Sequence, residues 1–214
     1  KFFNGDGFKL DDLLEEKIED LIISSVDVNS HITGEEIGKC LEAEGNSIEL
    51  YAKHLIETAD FRLDGRKVVL DCANGASYQV APKVYEALGA EVVTIGDRPD
   101  GTNINDACGS THPEKLQAAV LAHHADIGLA FDGDADRLIV VDERGRVLDG
   151  DKTIAICAKM LKAEGRLKDD KVTVTVMSNI GFHKAMEAEG ISVDVTGVGD
   201  RYVLEQMLKT GCVI

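Results

Sequence analysis

The sequence predicts an α/β fold with a mixed, mostly parallel sheet sandwiched by helices, flanked by parts of further domains. From Gly65 onward, short apolar runs alternate with segments of helical period. The chain of 214 residues is 44% apolar, enough to bury a core. Segments 67–71 and 91–95 are joined through a helical stretch, the pattern of a right-handed βαβ unit, whereas 137–142 turns back at Glu143-Arg144-Gly145 into 146–148 as a hairpin.

In chain order, residues 10–22 place apolar side chains at helical spacing on a charged background and predict an amphipathic surface helix. A polar stretch over 27–34 follows, and helical period resumes over 48–56, so a boundary is drawn near Gly45. Strands are predicted at 67–71, 91–95 and 126–131, with helices over 78–88, closed by Gly89, and 114–124, and a Gly/Asp/Asn-rich loop over 96–109. Asp151 is a plausible N-cap for a helix over 153–163. The β-α alternation then restarts, with strands at 171–177 and 191–196 and helices at 181–189 and 199–209. The domains read from this are 1–45, 46–169 and 170–214.

Charge excludes some partners. The 39 acidic and 23 basic residues leave a net charge of −16, which gives no general attraction to nucleic acid or to an anionic membrane. Ten of those negative charges fall in residues 1–60, on the predicted surface helix and its surroundings. The five cysteines (40, 72, 108, 157 and 212) form no C-x-x-C pair, and are read as reduced thiols of a cytoplasmic protein. No apolar run approaches the roughly 20 residues of a membrane span, and none resembles a signal peptide.

Chemistry concentrates in Asp132-Gly133-Asp134-Ala135-Asp136-Arg137, just past a predicted buried strand. On an extended strand the outer two carboxylates would stand about 13 Å apart, so the backbone must curl for all three to meet. Gly133 permits a curl and Ala135 adds little bulk. At about 5 Å each pair of carboxylates repels by about 3 kcal/mol at an effective dielectric near 20, and one Arg cannot neutralise three. A bound cation solves this. All-oxygen ligands favour a hard ion, and three carboxylates with open positions suit Mg²⁺ completed by phosphate oxygens. An EF-hand loop is the rival, since Asp132, Asp134, Asp136 and Glu143 fall at ligand positions 1, 3, 5 and 12; against it, Arg137 stands where the sharp turn wants Gly and the flanks read as strands.

The Asp132–Arg137 segment resembles the metal-binding loop of the α-D-phosphohexomutases. Asp71-Cys72-Ala73-Asn74-Gly75-Ala76, Asn103-Ile104-Asn105, Gly109-Ser110-Thr111-His112-Pro113 and Val198-Gly199-Asp200-Arg201-Tyr202-Val203 resemble the bacterial phosphoglucosamine mutase branch, in the same order and over essentially the whole chain. One departure is Ala135, where Gly is common; Ala is expected to fit if its φ is negative.

The resemblance implies interconversion of glucosamine 6-phosphate and glucosamine 1-phosphate through a phosphoserine and a bisphosphate, for UDP-N-acetylglucosamine and cell-wall synthesis. It implies Mg²⁺ on Asp132, Asp134 and Asp136, and phosphate or substrate contacts from Arg137 and Arg201. The family's catalytic Ser-His-Asn-Pro loop, its sugar-specificity loop and its C-terminal phosphate loop are not found in these residues. The chain is therefore expected to be an internal piece: the tail of domain 1, a complete metal-binding domain 2 and the opening of domain 3. It contains no catalytic residue of its own and is expected to be inactive in isolation, the parent being a homodimer acting on a phosphosugar. Two alternatives stand beside this: a phosphomannomutase or phosphoglucomutase, and a non-catalytic Ca²⁺-binding α/β module.

The other candidates point to structure. His123-His124 suits a helix C-terminus, Cys72 a packed thiol, and Ser110 and Thr111 a loop within reach of a ligand. Asp71-Cys72-Ala73-Asn74-Gly75 lacks the Lys-Ser/Thr of a P-loop.

Overall fold

The computed structural model describes residues 2–24, 33–40 and 45–214. They fall into two units, 1–44 and 45–214. In the first, Phe3 pairs with Lys9 across a short turn. Helix α1 (Asp12–Ile23) follows Asp11, whose carboxylate accepts from the Leu14 N–H at 3.0 Å, a standard N-cap. Within this unit α1 buries no side chain. The polar stretch expected over 27–34 lies outside the described residues except at its end, where Gly34–Glu36 forms a 3-10 turn.

The second unit begins with α2 (Ser47–Thr58), capped by Asn46. Five strands follow: β1 (Lys67–Asp71), β2 (Glu91–Ile95), β3 (Ile127–Phe131), β4 (Leu138–Asp142) and β5 (Val147–Leu148). They form one sheet in the order β2-β1-β3-β4-β5. The β1–β2 and β1–β3 pairs are parallel, and β3–β4 and β4–β5 antiparallel.

Alternation along β1 sorts this sheet into two cores. Val68, Leu70 and Cys72 face α3 (Val80–Ala87), packing with Ala81, Tyr85 and Leu129. Val69 faces the other way, with Ala130 and Val141, onto Leu116 and Val120 of α4 (Glu114–His123). Helix α2 adds a further layer, Ala52 packing on Val84 and Leu88. The expected helix over 78–88 is observed as α3, preceded by a 3-10 turn, Ala76–Tyr78, whose first N–H, at Ala76, has no partner within the turn and donates to the Gly133 carbonyl instead.

After β5 come α5 (Gly150–Ala163), β6 (Lys171–Thr175), α6 (Ile180–Ala188), β7 (Ser192–Thr196) and α7 (Asp200–Thr210). Strands β6 and β7 pair in parallel. One face of this pair is apolar: Val172 and Val174 pack with Ala158 of α5 and with Phe182 and Met186 of α6. Helix α5, grouped by sequence with the preceding strands, thus gives its buried residue to this second core while also touching β4 and β5. The face toward α7 is polar, with Asp194 accepting from Gln206 and pairing with Lys171, and α7 buries no side chain.

Two local expectations are corrected. The N-cap of α5 is Asp149, which accepts from the Lys152 N–H at 2.9 Å. Asp151 lies inside the first turn, where its carboxylate accepts from Asn179 N–H and Nδ2–H at 2.9 and 2.6 Å. Strand β6 ends at Thr175 and not at 177, because Thr175 turns the chain by accepting from the Ser178 N–H. Among the described residues, no helix is long and apolar enough to cross a membrane.

Candidate metal centre

The strand order places β1 at a reversal. The chain leaves β1 for β2 on one side and then returns past β1 to β3 on the other, so the loops after β1 and β3 diverge and leave a crevice at their carboxyl ends, the usual ligand position in open α/β sheets. Asp132 follows β3 directly, at this crevice.

The Asp132–Arg137 segment is the loop of a hairpin whose neck is the Phe131–Leu138 pair. That neck accounts for the convergence that an extended strand would forbid. One carboxylate oxygen from each of Asp132, Asp134 and Asp136 lies within 4.8 Å of the others. Asp132 is 3% exposed, while Asp134 and Asp136 face solvent.

The curl differs from the expected one. Ala135 has φ +59°, in the left-handed region, and its N–H closes a turn onto the Asp132 carbonyl at 3.0 Å. Alanine is therefore held here against its preference, whereas a negative φ was expected; the hairpin geometry decides. Gly133 serves close packing. A Cβ on it would stand 2.7 Å from Ile104 Cδ1, and a Cβ on Gly75 would stand 2.7 Å from Gly133 Cα. The two glycines let the loops after β1 and β3 touch backbone to backbone.

Arg137 closes the hairpin loop onto its first residue. Its Nε donates to Asp132 Oδ2 at 2.8 Å and its backbone N–H to Oδ1 at 3.1 Å, with Asp136 Oδ1 3.9 Å from Nε. Burial pushes the Asp132 carboxyl up, but the Arg137 side-chain bond, its backbone N–H and its charge outweigh this and hold it below the ordinary carboxylate range. The same pairing raises the Arg137 guanidinium.

Each Asp132 oxygen has a second lone pair for an ion. Two oxygens on opposite sides of one Mg²⁺ stand about 4.2 Å apart, and of one Ca²⁺ about 4.8 Å. The observed spread, within 4.8 Å, is of the size a hard divalent cation spans. Strands flank the loop, as the EF-hand geometry forbids.

Arg201, the other predicted phosphate contact, lies in the first turn of α7, in the part of the chain built on β6 and β7, and is not part of the converging carboxylate cluster. Ser110 acts through its backbone, its N–H donating to the Phe131 carbonyl at 2.8 Å. His124 ends α4 in the left-handed region, φ 50°.

Sequence reasoning missed Asp71. It ends β1 with 0% exposure, accepting from the Ala73 N–H at 3.0 Å and the Gly109 N–H at 2.8 Å. An acidic residue closing an otherwise apolar strand was the available signal.

The class this defines is an α/β protein that gathers ligand-facing loops at the carboxyl ends of a mixed sheet, with a carboxylate hairpin at the switch point. The family model described as phosphoglucomutase/phosphomannomutase, alpha/beta/alpha domain II matches residues 49–145, and that for domain III residues 149–214. The chain belongs to the phosphoglucomutase/phosphomannomutase family. It is 52% identical over 211 residues to a phosphoglucosamine mutase of Pelotomaculum thermopropionicum, covering 99% of this chain and 47% of that protein. Against a phosphoglucosamine mutase of Carboxydothermus hydrogenoformans it is 51% identical over 214 residues, covering 100% and 48%. The chain thus spans about half the length of these relatives. A crystal structure of a phosphoglucomutase/phosphomannomutase family protein from Burkholderia thailandensis superposes with a TM-score of 0.72 at 24% identity, over 95% of this chain and 43% of that one, a likeness of fold.

Proposed function

We propose that this chain is the metal-binding part of a cytoplasmic phosphoglucosamine mutase, acting with the rest of a longer protein to interconvert glucosamine 6-phosphate and glucosamine 1-phosphate. The observation that carries the reading is the convergence of Asp132, Asp134 and Asp136 within 4.8 Å at the switch point. The relatives, named phosphoglucosamine mutases and about half identical over the whole chain, support the glucosamine branch. On this reading domain II passes to domain III near Asp149, where α5 turns toward the second core.

Asp132, Asp134 and Asp136 would hold Mg²⁺. Bound there, it would supply positive charge against phosphoryl oxygens as negative charge develops on them during transfer. Asp132, fixed by two bonds from Arg137, is the rigid ligand, and the two exposed aspartates adapt to the ion. The Arg137 side chain is 68% exposed while its Nε holds Asp132, which leaves its outer N–H groups to meet a phosphate. Arg201, at the start of α7, is the second cationic contact. The phosphoryl donor is a serine from the rest of the longer protein, so these 214 residues alone bind Mg²⁺ without turning over substrate. The parent enzyme is a homodimer on this reading.

Two measurements test it. Mg²⁺ titration of the chain, with Ca²⁺ competition, is expected to show binding that Asp134→Asn weakens; a strong Ca²⁺ preference would favour the Ca²⁺ module. A coupled assay of the longer protein is expected to give its highest kcat/KM with glucosamine phosphate. Preference for mannose or glucose phosphate would move it to a sister branch.

A further inference from the structure

We propose that Asp71 is a positioning residue for the carboxylate hairpin, holding it in ligating shape without contacting the ion. The proposal rests on the metal-binding reading above. A carboxylate removed from water at the end of an apolar strand is costly unless its oxygens are bonded. Both are bonded here, and each bond starts a strap that ends on the hairpin.

The first strap runs from the Ala73 N–H, which donates to Asp71 Oδ1 at 3.0 Å, through Gly75 to Ala76, whose N–H donates to the Gly133 carbonyl at 2.8 Å. The second runs from the Gly109 N–H, which donates to Asp71 Oδ2 at 2.8 Å, to Ser110, whose N–H donates to the Phe131 carbonyl at 2.8 Å. The Asn105 N–H ties the two together by donating to the Ala73 carbonyl at 2.9 Å. One carboxylate therefore governs the entry of the hairpin loop, at Phe131, and its second residue, at Gly133. Ala73, with φ +54°, sits in the left-handed region, a conformation that persists only when its surroundings enforce it.

The group must be a carboxylate. Both partners are N–H donors, so an amide at this position would satisfy one and turn its own N–H₂ against the other. Loss of either strap frees one side of the hairpin, and the oxygens of Asp132, Asp134 and Asp136 spread.

The test uses the whole 214-residue chain, ¹⁵N-labelled, as wild type, Asp71→Asn and Asp132→Asn, with Mg²⁺ titrations and site-resolved amide exchange. Asp71→Asn is expected to weaken Mg²⁺ binding by about tenfold or more, the range for residues that orient metal ligands. It is also expected to speed exchange of the Ser110 and Ala76 amides by at least about tenfold while the Val69 and Leu129 amides stay as in wild type. A merely structural role would move the core amides equally. A folded Asp71→Asn chain with wild-type Mg²⁺ affinity and wild-type exchange at Ser110 and Ala76 overturns the proposal. If that variant does not fold, the wild type decides: Ser110 and Ala76 amides exchanging as fast as those of an open loop overturn it, and their protection alongside Ala73 and Gly109 supports it. If wild type and Asp132→Asn bind Mg²⁺ equally poorly, the metal reading fails, and the exchange data still decide the role of Asp71.

Discussion

Arg137 grips Asp132 twice, through Nε to Oδ2 at 2.8 Å and through its backbone N–H to Oδ1 at 3.1 Å, so the last residue of the hairpin loop fixes the first. Only the first of these bonds depends on the side chain. The second follows from the Phe131–Leu138 neck and survives any substitution that keeps the hairpin.

Arg137→Ala should therefore leave Asp132 oriented while removing a cation that competes with the metal. A unit charge near 4 Å in a solvated setting is worth about 1 kcal/mol, so calorimetry should show Mg²⁺ binding the variant two to about five times more tightly. Phosphate affinity in the longer protein should fall. Loss of Mg²⁺ binding in a folded variant would show that the side-chain bond, and not the backbone one, positions Asp132.

Acid should destabilise the fold through two carboxylates remote from the site. The Lys67 N–H and the Arg66 guanidinium hold the Asp126 carboxyl below its ordinary range. At Asp142 burial raises the value, and the Arg146 N–H, the Arg146 side chain and the Arg144 N–H together lower it further than burial raises it. Folded values below the unfolded ones mean stability that is full above the unfolded pKa, about 4, and is lost as pH falls through the folded values. Urea midpoints from pH 7 to pH 3 should drop most steeply below about pH 4, with Asp126→Asn flattening part of the drop. A midpoint that does not change between pH 5 and pH 3 would contradict this.

Gly75→Ala should destabilise by about 1–3 kcal/mol, since the added methyl meets the backbone of Gly133. Gly133→Ala meets the side chains of Ile104 and Asn105, which can give way, and should cost less. Chemical denaturation of both variants checks the order, and the reverse order would place the tight contact elsewhere.

Thiol labelling should separate the cysteines by burial. Cys40 is exposed and should react quickly in the native protein. Burial pushes the Cys72 thiol up to about 11, so at pH 8 it stays protonated as well as covered. Cys72, Cys108 and Cys212 are all buried and should label only on unfolding. Fast native labelling of Cys72 would mean that the loop after β1 opens readily.

Much of this was legible in the residues because it depends on local periodicity. Strands such as 67–71 and 91–95 match observed elements to the residue, being short apolar runs with clear turn signals at both ends. The three aspartates announced themselves by spacing and charge. The left-handed Ala135 did not, because a hairpin neck formed by Phe131 and Leu138 imposes it. The choice of Asp149 over Asp151 as cap was hidden because Asp151 is drawn away by Asn179, 28 residues on. Asp71 escaped notice because, of its two partners, only Ala73 is near in sequence; Gly109, 38 residues on, belongs to a loop that the order of the strands brings beside it.

The backbone contact between Gly75 and Gly133 also bears on recombination. Two loops from distant parts of the sequence share one surface with no room for a side chain between them. A chimera that imports only the aspartate hairpin from a relative with a bulkier residue at the contact would collide with the resident loop after β1. Transplanted as a pair, the loops keep their fit, so for grafting this site behaves as one discontinuous piece.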